Sequence, residues 1–178
     1  ARQVSGGVVH FVDDDSFSGL YLMGGAVGGD GDLSVDAMQW SSGSLLLGGA
    51  VTVESTGSLT FGAGTGTRAL SRSLISRGAA DLAAGALTIS GGSFENAGAF
   101  VMSGGASILG AGAGGSFINS GQLSTAGSGV ATLGGVGLAF QNTGVVEVAA
   151  GTTLRLGAAI APGALGQFVG AGTLDFSS

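Results

Sequence analysis

The sequence predicts an all-β fold, a parallel β-helix (β-solenoid) of about six coils of 20–28 residues with three short strands per coil. Three observations predict it. The phrase Phe-x-Asn-x-Gly occurs at Phe94–Gly98, Phe117–Gly121 and Phe140–Gly144, at intervals of 117 − 94 = 23 and 140 − 117 = 23. A fixed period in the twenties is the mark of a coil that repeats one unit per turn. Short runs of alternating apolar and polar residues separate these phrases, which is the period of a half-buried strand. The composition agrees: 39 glycines and one proline among 178 residues, 44% hydrophobic, mean hydropathy +0.55. Such a chain is too apolar for disorder and too rich in glycine for long regular elements.

Taken in order, residues 1–23 stand outside the repeat. Val4, Val8, Val9, Phe11 and Val12 suggest a strand or two, and Asp13-Asp14-Asp15 breaks them with a solvated turn. This segment reads as an irregular end or cap, and residues 24–178 as solenoid. From Leu33 the Phe position is filled by Val53, Leu74, Phe94, Phe117, Phe140 and Phe168, with Leu33–Ala37 as the same corner one coil earlier. The closing glycine is Gly57, Gly78, Gly98, Gly121, Gly144 and Gly172, at steps of 21, 20, 23, 23 and 28. The long last step holds Ala161-Pro162-Gly163, which reads as an inserted loop. After each closing glycine comes a first alternating run, as in Leu59-Thr60-Phe61, Phe100-Val101-Met102 and Leu174-Asp175-Phe176. A second follows a glycine corner, clearest in Leu45-Leu46-Leu47, Leu87-Thr88-Ile89 and Leu154-Arg155-Leu156. A third segment leads back into the phrase. Stacked about 4.8 Å apart, six coils make a rod about 30 Å long.

Stacking places equivalent residues above one another. Phe94, Phe117, Phe140 and Phe168 are expected to form a buried aromatic ladder, each ring contributing about 1.5–3 kcal/mol. Asn96, Asn119 and Asn142 are expected to form an amide ladder, each bond worth about 0.5–1.5 kcal/mol net. Gly98, Gly121 and Gly144 are expected to supply positive φ at the corner.

The succession Leu-x-Leu-x-Gly, Phe-x-Asn-x-Gly and alternating hydrophobics resembles the repeats of large secreted β-helix proteins. These are the filamentous-haemagglutinin and autotransporter-passenger adhesins, with similar repeats in giant extracellular proteins of protists and algae. The resemblance covers about Leu33 to Phe176 and implies a stalk, adhesin or surface-fibre component. It carries over no catalytic residue.

The residue types exclude several chemistries. There are five arginines, no lysine and 11 acids, a net charge of −6, so the clustered cations of a nucleic-acid or anionic-membrane binder are missing. No cysteine is present, so disulfides and thiolate metal sites are excluded. Residues 96–146 carry no charge, yet their Gly, Ser and Thr content and period of two argue against a transmembrane segment. The alternating runs are about half the 9–11 residues that a membrane barrel strand needs.

Local motifs read as architecture. Gly110 to Gly115 matches Gly-x-Gly-x-x-Gly, but the next corner follows where a dinucleotide site needs a helix, and Gly62 to Gly66 reads the same way. Gly28-Gly29-Asp30-Gly31-Asp32 is near the calcium nonapeptide pattern, so Asp30, Asp32 and Asp36 are the candidate calcium ligands, with Asp13–Asp15 as further oxygens. No other cofactor is indicated. His10 is the single histidine and no nucleophile elbow accompanies it. Glu54, Glu95, Glu147, Asp81 and Asp175 are the carboxylates a polysaccharide-cleaving β-helix could use, and of these Glu95 sits in a corner. Asp81, Glu147 and Asp175 share an outward position three residues after a closing glycine. Arg68, Arg72 and Arg77 read as an outward basic face. Thr60, Thr88, Thr125 and Thr132 form no regular row of the kind that binds ice.

The functional expectation is a non-enzymatic structural rod in an extracellular or cell-surface filament. Its expected partners are other chains in a fibre or homo-oligomer. The chain opens on Ala1 without an export signal, and reads as a segment of a longer extracellular protein. No Asn lies in an Asn-x-Ser/Thr acceptor, so any glycan is O-linked. The alternative is an adhesin domain that binds glycans or neighbouring cells, and a polysaccharide-active enzyme is a distant third.

Overall fold

The computed structural model describes residues 1–62, 66–161 and 166–176. Among these residues there is no helix, and 22 strands join in parallel into one continuous sheet that winds through about eight turns. Each turn presents three faces. The first face carries the inward column Arg2, Leu20, Met38, Leu59, Ala80, Phe100, Leu123, Val146 and Phe168. The steps along it are 18, 18, 21, 21, 20, 23, 23 and 22 residues. The second face carries Val9, Val27, Leu45, Leu70 and Ile89, the third Leu33, Val51, Leu74, Phe94, Phe117 and Phe140. Three early strands, Leu20–Gly29, Leu33–Gly48 and Val51–Phe61, run through their corners and serve more than one face. Later coils break at each corner into strands of two to seven residues.

The rod is longer than the expected six coils because the N-terminal segment joins it. Arg2–Val4 and Val8–His10 pair with Leu20–Gly29, and Asp15–Phe17 pairs with Leu33–Gly48. Residues 1–23, read from sequence as an irregular cap, thus contain a full coil. Its period of 18 and the charges at its inward positions, Arg2 and Asp15, hide it from the apolar pattern.

Side chains alternate in and out along every strand. The inward set is a single core in which Trp40, Phe61, Phe94, Phe100, Phe117 and Phe140 are fully buried. Phe94, Phe117 and Phe140 stack with centroids 5.4 and 5.5 Å apart and planes within 27° and 15°. Phe100 meets Phe94 edge-on at 5.3 Å from the first face. These separations fall in the range where aromatic pairs add about 0.5–1.5 kcal/mol beyond their burial.

Two positions of the repeat need correction. Above Leu74 stands Val51, whereas Val53 stands above Ser76 in the asparagine column. Below Phe140 stands Ile160, and Phe168 lies on the first face under Val146, 41% exposed, so Phe168 is no part of the aromatic ladder. The last closing glycine is Gly166, one step of 166 − 144 = 22 after Gly144. The apparent step of 28 to Gly172 therefore disappears. Of the expected loop Ala161-Pro162-Gly163, the residues from Pro162 onward lie outside the described residues, as does the centre of the Gly62–Gly66 motif.

The closing glycines serve a purpose other than the expected one. Gly57, Gly78, Gly98, Gly121 and Gly144 are not among the glycines with positive φ. What each requires is space: a Cβ on Gly78, Gly98, Gly121, Gly144 or Gly166 would fall well inside contact distance of the carbonyl oxygen of the closing glycine one coil earlier. Consecutive corners pack backbone on backbone, and any side chain would wedge the coils apart.

Gly121→Ala is therefore expected to cost about 1–3 kcal/mol, the range for overpacking a close-packed site. Gly6→Ala, where nothing lies within 4 Å and φ is not positive, should stay within about 0.5 kcal/mol. Urea unfolding of the two variants against the parent measures the difference.

Candidate functional site

The corner that closes the third face assembles the most ordered polar array. Asn96, Asn119 and Asn142 stand directly over one another and are buried. Asn96 Nδ2 donates to Asn119 Oδ1 at 2.7 Å, and Asn119 Nδ2 donates to Asn142 Oδ1 at 2.8 Å. The second hydrogen of each amide goes to the next coil's backbone, at Gln122 O (2.9 Å) and Val145 O (3.0 Å). All three amides point the same way along the rod. The ladder ends at Ser76, which stands over Asn96: Ser76 Oγ and Asn96 Oδ1 are both buried without a protein partner. A second internal polar contact joins Thr125 Oγ1 and Thr152 Oγ1 at 2.5 Å, and Ala149 N donates to Thr125 Oγ1 at 3.0 Å.

Arg68 and Arg72 do not form the expected outward basic face. Both are buried, and their guanidinium groups cap carbonyls. Arg68 stands below Gly43 in an inward position, donating to Trp40 O (3.0 Å), Ala86 O (3.2 Å) and Gly62 O. Arg72 reaches up through two coils at the corner between the second and third faces. It donates to Gly49 O, Gly31 O (3.1 Å) and Gly29 O (3.4 Å), where glycines leave room for it. Burial lowers the pKa of both guanidinium groups; for Arg72, Asp32 and then Asp30 pull the other way. Only Arg77 of the three is exposed, and it pairs with Glu54 at 3.6 Å. Sequence reasoning misses the two buried arginines because a carbonyl cage leaves no side-chain signature.

The calcium candidates are not brought together. Asp30 and Asp32 lie on the corner between the second and third faces, while Asp36 lies on the corner between the third and first. Asp32 Oδ1 accepts Ala50 N–H at 2.6 Å, and Asp14 Oδ1 accepts Asp32 N–H at 2.9 Å. These two carboxylates therefore cap the following coil's backbone, at an interval of 32 − 14 = 18 that equals the early coil length. Among the described residues no three carboxylate or imidazole groups gather as a metal site.

A shallow depression of about 430 Å³ lies on the outer third face, where Asp14, Asp15, Asp32 and Glu54 meet Arg77. Each of these carboxylates is held by the protein itself: Asp15 accepts Ser16 N–H at 2.8 Å, and Glu54 accepts Ser34 Oγ–H at 2.5 Å. The other acids are dispersed. Asp81 and Glu147 do share an outward column of the first face, separated by Val101 and Ser124. Asp175 does not share it, since it lies on the second face paired with Arg155 at 3.0 Å. Glu95 is on the third face, bonded by Ser120 Oγ at 3.2 Å.

His10 is exposed at the rim of an apolar groove of about 530 Å³ over Gly28, Leu46, Leu47, Ser71 and Ser90. Gly110–Gly115 is a corner between faces with positive φ at Gly112 and Gly114, followed by the strand Gly115–Asn119. Thr125 points inward, and Thr60 lies on a different face from Thr88 and Thr132.

No family model, curated protein or solved structure matches the chain.

Asn119→Ala should leave Asn142 Oδ1 without its donor and remove an acceptor from Asn96, at about 1–3 kcal/mol for each orphaned group. Ser76→Asn should supply the missing donor to Asn96 Oδ1 and add about 0.5–1.5 kcal/mol. Thermal and urea unfolding of both variants checks the opposite signs.

Proposed function

We propose that the chain is a non-enzymatic structural rod of an extracellular or cell-surface filament, assembled through the sides of its later coils. The observation that carries this reading is the uncharged stretch 96–146, which spans more than two coils and all three faces. On its outside stand Val101, Leu109 and Ile118, half-buried in the isolated rod, with Val136 73% exposed. A free surface normally intersperses charges of both signs. An uncharged wall of small and apolar residues suits a neighbouring chain instead. The resemblance to surface-fibre repeats points the same way, and so does the protein's use of its polar groups. Buried amides, buried guanidiniums and the acidic depression's carboxylates all bond its own backbone or side chains.

A specific observation favours the adhesin reading as the second. The outer first face carries the row Gln3, Tyr21, Gln39, Thr60 and Asp81, one residue per coil. Tyr21, Gln39 and Thr60 line a shallow depression of about 310 Å³ with Ser58. An aromatic ring flanked by amide and hydroxyl groups is suited to a sugar.

Electron microscopy of the native material separates the two. Ordered filaments, dispersed into single folded rods by Val101→Lys or Ile118→Lys, are the expected result. Isolated rods that bind glycans and lose them with Tyr21→Ala would establish the adhesin reading instead.

A further inference from the structure

The corners between the second and third faces line up as one edge of the rod, and the most exposed apolar side chains collect on it. Val12 (79%), Leu47 (73%) and Val136 (73%) are the three most exposed large apolar residues among the described ones, and all three stand on this edge. Its outward column is Leu46, Ser71, Ser90, Ala111 and Val136. These follow the inward residues Leu45, Leu70, Ile89, Gly110 and Gly135, which pair one over the next. Ser71, Ser90, Gly91 and Ala113 floor the apolar groove of about 530 Å³, with Leu46 and Leu47 as its wall. From Leu46 to Gly137 the edge exposes no charge, because the one charged residue on it, Arg72, is buried. Toward the N-terminal coils the same edge turns acidic. Asp13 and Asp14 follow Val12, and the next coil brings Asp30 and Asp32, all four exposed.

We propose that this edge docks a second copy of the chain, side by side and antiparallel, about a two-fold axis through Ser90. Two observations choose that occupant. An isologous contact needs a patch that maps onto itself. Leu46–Leu47 and Val136 stand two coils from Ser90 on opposite sides, so a half-turn sets the leucines of each copy against Val136 of the other. The small residues between them then meet face to face and let the two backbones approach. Charge fixes the direction. In a parallel pair Asp13, Asp14, Asp30 and Asp32 would each face their own copy, like charge against like. In the antiparallel pair Asp30 and Asp32, three coils before Ile89, come level with the exposed Arg155 of the partner, three coils after it.

The contact uses the side of the rod and neither of its ends, so it serves a segment of a longer chain equally well. It lies apart from Val101 on the first face and Ile118 on the third, so it goes beyond the filament reading and does not depend on it. A single edge is a narrow contact, at the low end of specific interfaces, below about 1,200 Å² in total. The pair therefore belongs at micromolar concentration and comes apart on dilution.

The chain has no cysteine, so single introduced thiols report the pairing. At about 100 µM protein, well above a micromolar Kd, Ser90→Cys should cross-link to itself under mild oxidation and Val12→Cys should not. Sedimentation of the parent should approach 2 × 16.8 = 33.6 kDa. Leu47→Asp and Val136→Asp, both at exposed positions, should each return the single-chain mass with the strand circular-dichroism signal intact. A parent that stays at 16.8 kDa overturns the proposal and leaves the edge to a partner of other chemistry. Cross-linking at Val12 in place of Ser90, or a pair that survives both aspartate variants, overturns it as well. A mass above two chains that Val101→Lys reduces to two supports the pair and reports the filament contact separately; one that Val101→Lys leaves unchanged overturns the closed pair. A parent that pairs but leaves no filaments in native material overturns the filament reading alone.

Discussion

Everything in this rod depends on consecutive corners closing one on top of the other. The strands offer hydrogen bonds at about 4.8 Å intervals, but those can be satisfied in any register of the right parity. The corner removes that freedom. With the carbonyl of one closing glycine set where the next would carry a Cβ, there is one way to stack Gly98, Gly121 and Gly144. The asparagines two residues earlier then lock the choice, since an amide ladder forms only when Asn96, Asn119 and Asn142 coincide. The phenylalanines two residues before those are consequently placed ring on ring. Steric fit, hydrogen bonding and burial agree over the same five residues, and that agreement explains why the phrase is strict in this part of the chain.

The first coils solve the same problem with different chemistry. They are shorter and run through their corners, and they lack the asparagine column, which holds Phe17, Val35, Val53 and Ser76 there. Carboxylates and guanidiniums substitute. Asp14 and Asp32 cap amides one coil down, while Arg72 gathers carbonyls from two coils above it and Arg68 gathers others at the preceding corner. Charged groups therefore fasten the region where coil length changes from 18 to 21 residues, and neutral amides serve where the period has settled near 23.

These differences decide what was legible. The class of fold, the aromatic and amide columns from residue 94 to 144 and the strand alternation are all written in side chains that repeat. A period of two cannot distinguish Val51 from Val53, because both face inward and only the partner's register separates them. Anchoring the last coil on Gly172 puts Phe168 in the aromatic column, whereas the step of 22 to Gly166 moves Phe168 to another face. A sequence reading makes Arg68 and Arg72 solvated because charge usually is, and their acceptors are backbone carbonyls that no residue type announces. The first coil stayed hidden because Arg2 and Asp15 occupy positions that elsewhere signal the core.

Among the described residues, the last pairing on the third face joins Leu138–Asn142 and Ala159–Ile160 over two residues, Ala139 with Ala159 and Phe140 with Ile160. In a solenoid the covalent chain runs around the axis and the hydrogen bonds run along it. Tension applied through the termini would therefore peel coils away singly, starting where the fewest bonds hold. Each coil released adds about 20 residues of slack, or about 70 Å at full extension. A rod built this way behaves under load as a tether that lengthens in steps, while the amide and aromatic columns keep the middle wound longest.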